Sequence, residues 1–433
     1  MGVDQKGKIQ IFAKNIRGNA NGGILEESRF TRNVAGGRQV QNGKGGGVNH
    51  DVNQSRTIVE ETRVKSIECL DKLDEGSKND ESGTNQEGVL YGKVYRFKVK
   101  EFTNGEPKNP NSIRWVLKFT HPNTGVVTEN ILQNKDCRGA QLNLNFSAAD
   151  CCGSDMEVRA FIENADSEGK LPVFMHNRFR WFDKTTYIKG LTARRDDPSK
   201  IDQQSTSLCG TAALLYFFAQ QYKAEFFEHY KEFFRTGTGT INNFKLDPNP
   251  DLFEMQPIES NTDYPHYSKY SDGKPCVPHI LMHITDWIVL AGTRSTDNKS
   301  YEGKNGENWD AINWCDYMVS AIRNLYGATQ VEDKTSIITG FNYADTLTEI
   351  QTLYNEGWHI VLMIDSDMLD DSISYLGCIT NYHWVSYEGD LVIDEKNNKY
   401  QFSYFCWHQL FKSKSFRSIV FNTNFYGYIK FKK

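Results

Sequence analysis

The 433-residue chain predicts an α+β protein, and three observations carry that reading. Glycine-rich polar sequence fills residues 1–55, period-two alternation of apolar and polar residues runs through 88–182, and from 183 onward helical patterns come before strand patterns. Strands grouped together, then helices, then a late sheet is the α+β order rather than a βαβ alternation. The length suffices for two or three domains, each burying a core of its own.

Residues 1–55 are rich in Gly, Asn, Gln and Arg and have few apolar anchors, so they are expected to be flexible or to order on a partner. Residues 56–87 are expected to be a linker: Val59 to Leu73 can form one strand or a short helix, and a polar stretch follows from Asp74 to Asn85. Between 88 and 182, short alternating segments recur at Leu90–Val99, Ile113–Phe119, Gln141–Phe146 and Met156–Ile162, and Asn-Gly, Pro-Asn and Gly-Ser turns separate them. That pattern predicts an antiparallel sandwich, and Trp115 on a central strand suits an immunoglobulin-like core.

The block 183–433 opens its helical part with the run Ala212–Ala219. Next, Tyr222–Phe234 places Phe226, Phe227, Tyr230, Phe233 and Phe234 on one helical face, stopped by Thr236-Gly-Thr-Gly239. Such an aromatic stripe is core. Further helical patterns cover 279–293, 309–326 and 344–356, and strand patterns cover 358–364, 382–388, 400–407 and 418–431.

One cysteine stands apart from the other eight. Cys209 precedes Gly210 and the apolar helix, with Gln203 six positions upstream. A cysteine in an apolar helix is ordinarily a small buried hydrophobe. At a helix's first turn, however, unpaired N–H groups and the dipole favour a thiolate, which is the attacking species. Gln203, or Gln204 if the turn is offset by one, would donate to an oxyanion beside the N–H of Cys209. The matching base is His383, in the strand-like Asn381–Tyr387 and ahead of a hairpin partner at Tyr400–Trp407. A third residue to orient the imidazole is not assigned; Gln409, Ser403 and Asp390 are weaker candidates.

With Leu-Cys-Gly-x-Ala-Ala at 208–213, Asp286-Trp287, Arg294 and His383-Trp384-Val385, residues 190–433 resemble the papain-like cysteine peptidase and amidase superfamily. More closely, they resemble the toxin domains of contact-dependent and type VI secreted bacterial effectors. The resemblance implies a papain-like domain over 183–433 that hydrolyses amide bonds without a cofactor. It also implies a protein or peptidoglycan-peptide substrate, an immunity protein that plugs the cleft, and a component of a secretion apparatus as partners. The chain departs from the family at Phe405-Cys406-Trp407, where an Asn or Asp usually precedes the Trp. The same dyad would also serve a transglutaminase or deamidase, and a non-catalytic delivery or binding protein with a papain-like relic is the remaining alternative.

Other chemistry is poorly supported. His279 and His283 have the i, i+4 spacing of zinc ligands on a helix, but Ile280 stands where a metalloprotease needs Glu. The glycines of Gly43–Gly47 lack the strand and helix of a phosphate loop. Net charge −5 and a pI near 6.1 argue against a nucleic-acid surface. No run of 18 apolar residues predicts a membrane span, and no signal-peptide stretch opens the chain. An odd cysteine count fits synthesis in a reducing cytoplasm, so the expectation is export without a Sec signal and action in a target cell.

Overall fold

A computed structural model describes residues 61–132, 137–269, 274–336, 342–373 and 381–433, together with a short pairing of Gly2–Val3 with Ile9–Gln10. The chain divides into two units, Met1–Val59 and Glu60–Lys433. Apart from that pairing, the expected flexible segment 1–55 lies outside the described residues, as do the Gly43–Gly47 run and Cys378. The described chain mixes helix and strand in similar amounts, its main sheets are antiparallel, and the fold class is α+β.

Two antiparallel sheets enclose the first core of the second unit. One contains Val64–Cys69, Val94–Phe102 and Gln141–Asn145. The other contains Gly169–Met175, Ser154–Phe161, Arg114–Thr120 and Val127–Leu132, in that spatial order. Along Val94–Phe102, Tyr95, Phe97 and Val99 turn inward while their neighbours face solvent, as period two demands. Trp115 is fully buried between the sheets and donates its indole N–H to Gly139 O at 2.9 Å. Glu168 closes one end: its carboxylate accepts from the backbone N–H groups of Val64, Ile162, Glu163 and Asn164. The stretch 74–85, expected as linker, forms a hairpin of Asp74–Ser77 with Asn85–Gly88. Its turn is held by side chains rather than by an apolar face, with Asp183 accepting from the N–H of Glu81 at 2.9 Å.

Three helices follow. Lys184–Asp196 starts on an Asp183 cap whose carboxylate accepts from Thr186 N–H at 2.7 Å. Cys209–Gln221 is buried on every side from Cys209 through Ala219, as a helix apolar all round must be. Lys223–Thr236 ends on Gly237, whose φ of 72° is left-handed and glycine-compatible.

Two expectations are corrected. Residues 279–293 do not begin as helix: Pro275–Leu281 is a strand paired with His266–Lys269, and helix starts only at Ile284. Pro275 and Pro278 lack the N–H groups a helix interior needs, so His279 and His283 share no helix face. The strand expected over 418–431 is instead a helix, Ser418–Asn424, followed by the strand Phe425–Lys432. Val420, Phe421 and Asn424 share a helical face turned into the core.

The last sheet has seven strands. In spatial order, Gln330–Asp333, Phe425–Lys432, His359–Asp365, Tyr382–Tyr387 and Lys399–Cys406 pair in succession, and Val392–Asp394 and Gln409–Arg417 both pair with the last of these. One face, carrying Val361, Met363, Trp384 and Phe405, packs on the Cys209 helix. The opposite face, carrying Leu362, Val385 and Tyr404, is covered by Leu347 and Ile350 of Ala344–Asn355 and by Val420 and Phe421.

Candidate active site

Cys209 is the first residue of its helix, so its sulfur sits among the unpaired N–H groups of the first turn. Asn313, fully buried, fixes that helix start against the His383 strand. Its side-chain oxygen accepts from Thr211 N–H at 2.8 Å, and its backbone carbonyl accepts from Trp384 Nε1 at 2.8 Å and Tyr382 Oη at 2.9 Å. Gly210 follows from this clamp: a Cβ there would lie 2.6 Å from both Asn313 Cβ and Met318 Sδ. Behind the turn, Ser386 Oγ donates to Ala213 O at 3.2 Å, and Tyr216 stacks on Phe405 with centroids 4.1 Å apart.

A cleft of about 570 Å³ opens over this turn, and Cys209, His383 and Gln203 all line it. Cys209 itself is only 3% exposed. Burial pushes its thiol up to about 11, against the opposing pull of the Trp384, Gly210 and Cys209 N–H groups. The thiolate favoured by the helix terminus is therefore outweighed by desolvation in the resting protein.

His383 is 4% exposed, and burial lowers its imidazole to about 4, with Asp365 opposing. Asp365 also accepts from the N–H of Asn381 at 3.0 Å, which pins the chain just ahead of the histidine. Nε2 of His383 lies 3.0 Å from Cys406 Sγ, and the ring leans on Trp407 with centroids 5.0 Å apart. Among the described residues no hydrogen bond joins Cys209 to His383. With Nε2 engaged by Cys406, Nδ1 is the nitrogen left for the cleft.

Gln203 donates through Nε2 to Thr206 O at 2.9 Å, which leaves its second amide N–H for a ligand. Gln204, in a left-handed conformation with φ 47°, donates instead to Leu281 O at 3.2 Å. None of the three residues considered for orienting the imidazole does so. Ser403 donates to Asp390 at 2.6 Å, so these two satisfy each other, and Gln409 is an exposed residue opposite Cys406 in the hairpin. The partner of His383 is Cys406, one of the eight cysteines that Cys209 stands apart from. Its signal was position: Cys406 directly precedes Trp407, where an orienting residue was sought. Asn313 carried no such signal, because its role depends on contacts across three elements.

Two neutral groups, a thiol and an imidazole, thus face one cleft, with backbone N–H groups and an amide beside them. Such a set can transfer an acyl group through sulfur. Comparison with protein-family models, curated proteins and solved structures finds no match for this chain.

Proposed function

We propose that the chain hydrolyses amide bonds, with Cys209 as nucleophile, His383 as general base and acid, and Cys406 as the group that holds the imidazole. The observation that carries this reading is a cysteine at a helix N-terminus opening on the same cleft as a histidine whose far nitrogen is already fixed.

Because both groups rest neutral, the thiol proton passes to His383 Nδ1 as sulfur attacks the carbonyl carbon. The resulting oxyanion lies toward the Cys209 N–H and the second N–H of Gln203. Collapse breaks the C–N bond, the imidazolium gives its proton to the leaving amine, and a thioester remains. Water, deprotonated by His383, then attacks that thioester, releasing the acid and restoring the thiol. The Cys209–His383 contact is made when substrate enters, since catalytic hydrogen bonds are often long in resting enzymes.

The order of a cysteine-bearing helix and a later antiparallel sheet bearing His383 supports a papain-like domain over 183–433 behind an immunoglobulin-like sandwich. On that reading the protein is a bacterial effector toxin acting in a target cell, neutralised in its producer by an immunity protein. The absent Cys209–His383 bond favours one rival, a binding protein with an inactive relic.

Bacteria expressing the full chain in cytoplasm or periplasm, beside Cys209→Ala and His383→Ala forms, separate the two. Toxicity in one compartment that both substitutions abolish supports the hydrolase. Equal toxicity of all three, or none with folded protein present, sinks it.

A further inference from the structure

The chain has eight tryptophans, and its three exposed ones all line the Cys209 cleft. Trp309 is 77% exposed, Trp314 47% and Trp407 38%. Water-facing indoles are costly enough that three gathered around one thiol mark a contact surface rather than chance. They are also in contact: Trp309 and Trp314 lie nearly parallel at 22° with centroids 6.5 Å apart, and Trp314 meets Tyr382 at 5.5 Å, tilted by 52°. One wall therefore carries three aromatic rings in mutual contact, while Trp407 stands beside His383.

Between these faces the lining is polar and uncharged. Gln203, Asn308 and Asn381 supply amides, Ser205, Ser207 and Ser366 supply hydroxyls, and among the described residues no Asp, Glu, Lys or Arg borders the cleft. A pocket for an aromatic side chain would be enclosed and apolar. A nucleic-acid strand would need cations beside the stacking faces. A peptide rich in carboxylates would likewise find no counter-charge here. Flat indoles exposed beside neutral donors and acceptors match a ring with apolar C–H faces and hydroxyl or acetamido edges.

We infer that this cleft binds an uncharged saccharide. The inference stands on the lining of the wall and needs no catalysis.

The test is a titration of the full-length Cys209→Ala protein with two neutral probes, the β-1,4-linked tetramers of N-acetylglucosamine and of glucose, read by tryptophan fluorescence. Saturable binding of at least one is expected. Trp309→Ala and Trp314→Ala should each weaken it tenfold or more, and raising salt should leave it unchanged. Absence of saturable binding with both probes overturns the inference, as does binding that neither substitution weakens or that salt abolishes. Tighter binding of a Phe-rich peptide at the same wall also overturns it, in favour of an aromatic side-chain site. Since the probed protein has no nucleophile, loss of the hydrolase reading in the growth assay and loss of saccharide binding are separate results.

Discussion

The sandwich and the seven-stranded sheet are built from the same kind of antiparallel strand but are buried differently. In the sandwich, Val94–Phe102 hides every second residue and leaves the rest in water. In the seven-stranded sheet, His359–Asp365 and Tyr382–Tyr387 are buried on both faces after their first residue. That half-buried strand turns only packing groups inward, Tyr95, Phe97 and Val99. A doubly covered sheet can seat a helix on one side and still enclose His383 and Cys406, where desolvation shifts both groups strongly. The two regions should therefore fail differently when altered.

The largest separation is expected between Cys209→Ala and Trp115→Ala. Cys209→Ala, or His383→Ala, should lower turnover by at least about 10³-fold, with the thermal midpoint nearly unchanged. Trp115→Ala should do the reverse, costing about 3–5 kcal/mol in denaturant unfolding while kcat of the folded fraction is kept. A sandwich substitution that lowered kcat of fully folded protein would break the comparison, because it would make the sandwich part of the site.

Cys406 tests whether the doubly buried face contributes chemistry or only packing. Cys406→Ala should lower kcat on the order of 10²-fold with KM little changed, while Cys406→Ser, which keeps a partner at Nε2, should recover most of it. A pure packing role predicts that Ala and Ser behave alike. Should Cys406 itself be the nucleophile, Cys209→Ala would retain turnover, and the assignment of roles would be reversed.

Gly210→Ala separates helix seating from chemistry. Its Cβ would meet Asn313 and Met318, so overpacking of about 1–3 kcal/mol is expected in chemical unfolding. Turnover should fall as well, since the same clamp positions Cys209. Unchanged stability would show that the Asn313 clamp is slack.

How much of this was legible follows from the same contrast. Period-two alternation announces a half-buried strand, so Tyr95, Phe97 and Val99 could be read as sandwich core directly. In the last sheet, runs such as His359–Asp365 are nearly continuously apolar, and periodicity alone does not separate such runs from helix; over 418–431 the expected strand is in part the helix Ser418–Asn424. The placement of Cys209 at a helix start and of His383 on a strand was readable because both leave local marks. Cys406 and Asn313 were not, since each acquires its role from a residue brought near only by the fold. The tryptophan wall was likewise invisible: exposure, not identity, distinguishes Trp309, Trp314 and Trp407 from the buried Trp115, Trp287 and Trp384.

The smallest expected effect is on pH dependence, and it falls on the seven-stranded sheet and its surroundings. His383 and His359 are both lowered to about 4 by burial, and so is His283 at the start of the Ile284 helix. Each is neutral in the fold, and an unfolded histidine titrates near 6.5. A depressed folded value gives stability that is full above about 6.5 and is lost as pH falls towards 4, because the unfolded chain takes up those protons first. The histidine share of stability should thus decline between pH 6.5 and 4, opposed over that range by Glu388 and Asp286, which burial raises to about 7 and about 6, and His359→Gln should remove part of the histidine share in urea titrations. His359 is the residue to alter, since it packs against Phe217 and Phe431 and takes no part in the proposed chemistry. The acid limb of turnover should lie near 4 rather than 6.5, and alkylation of Cys209 should be slow at pH 6 and rise steadily above it. Rapid alkylation at pH 6 would mean that the helix terminus wins over burial, and the resting pair would then be thiolate and imidazolium.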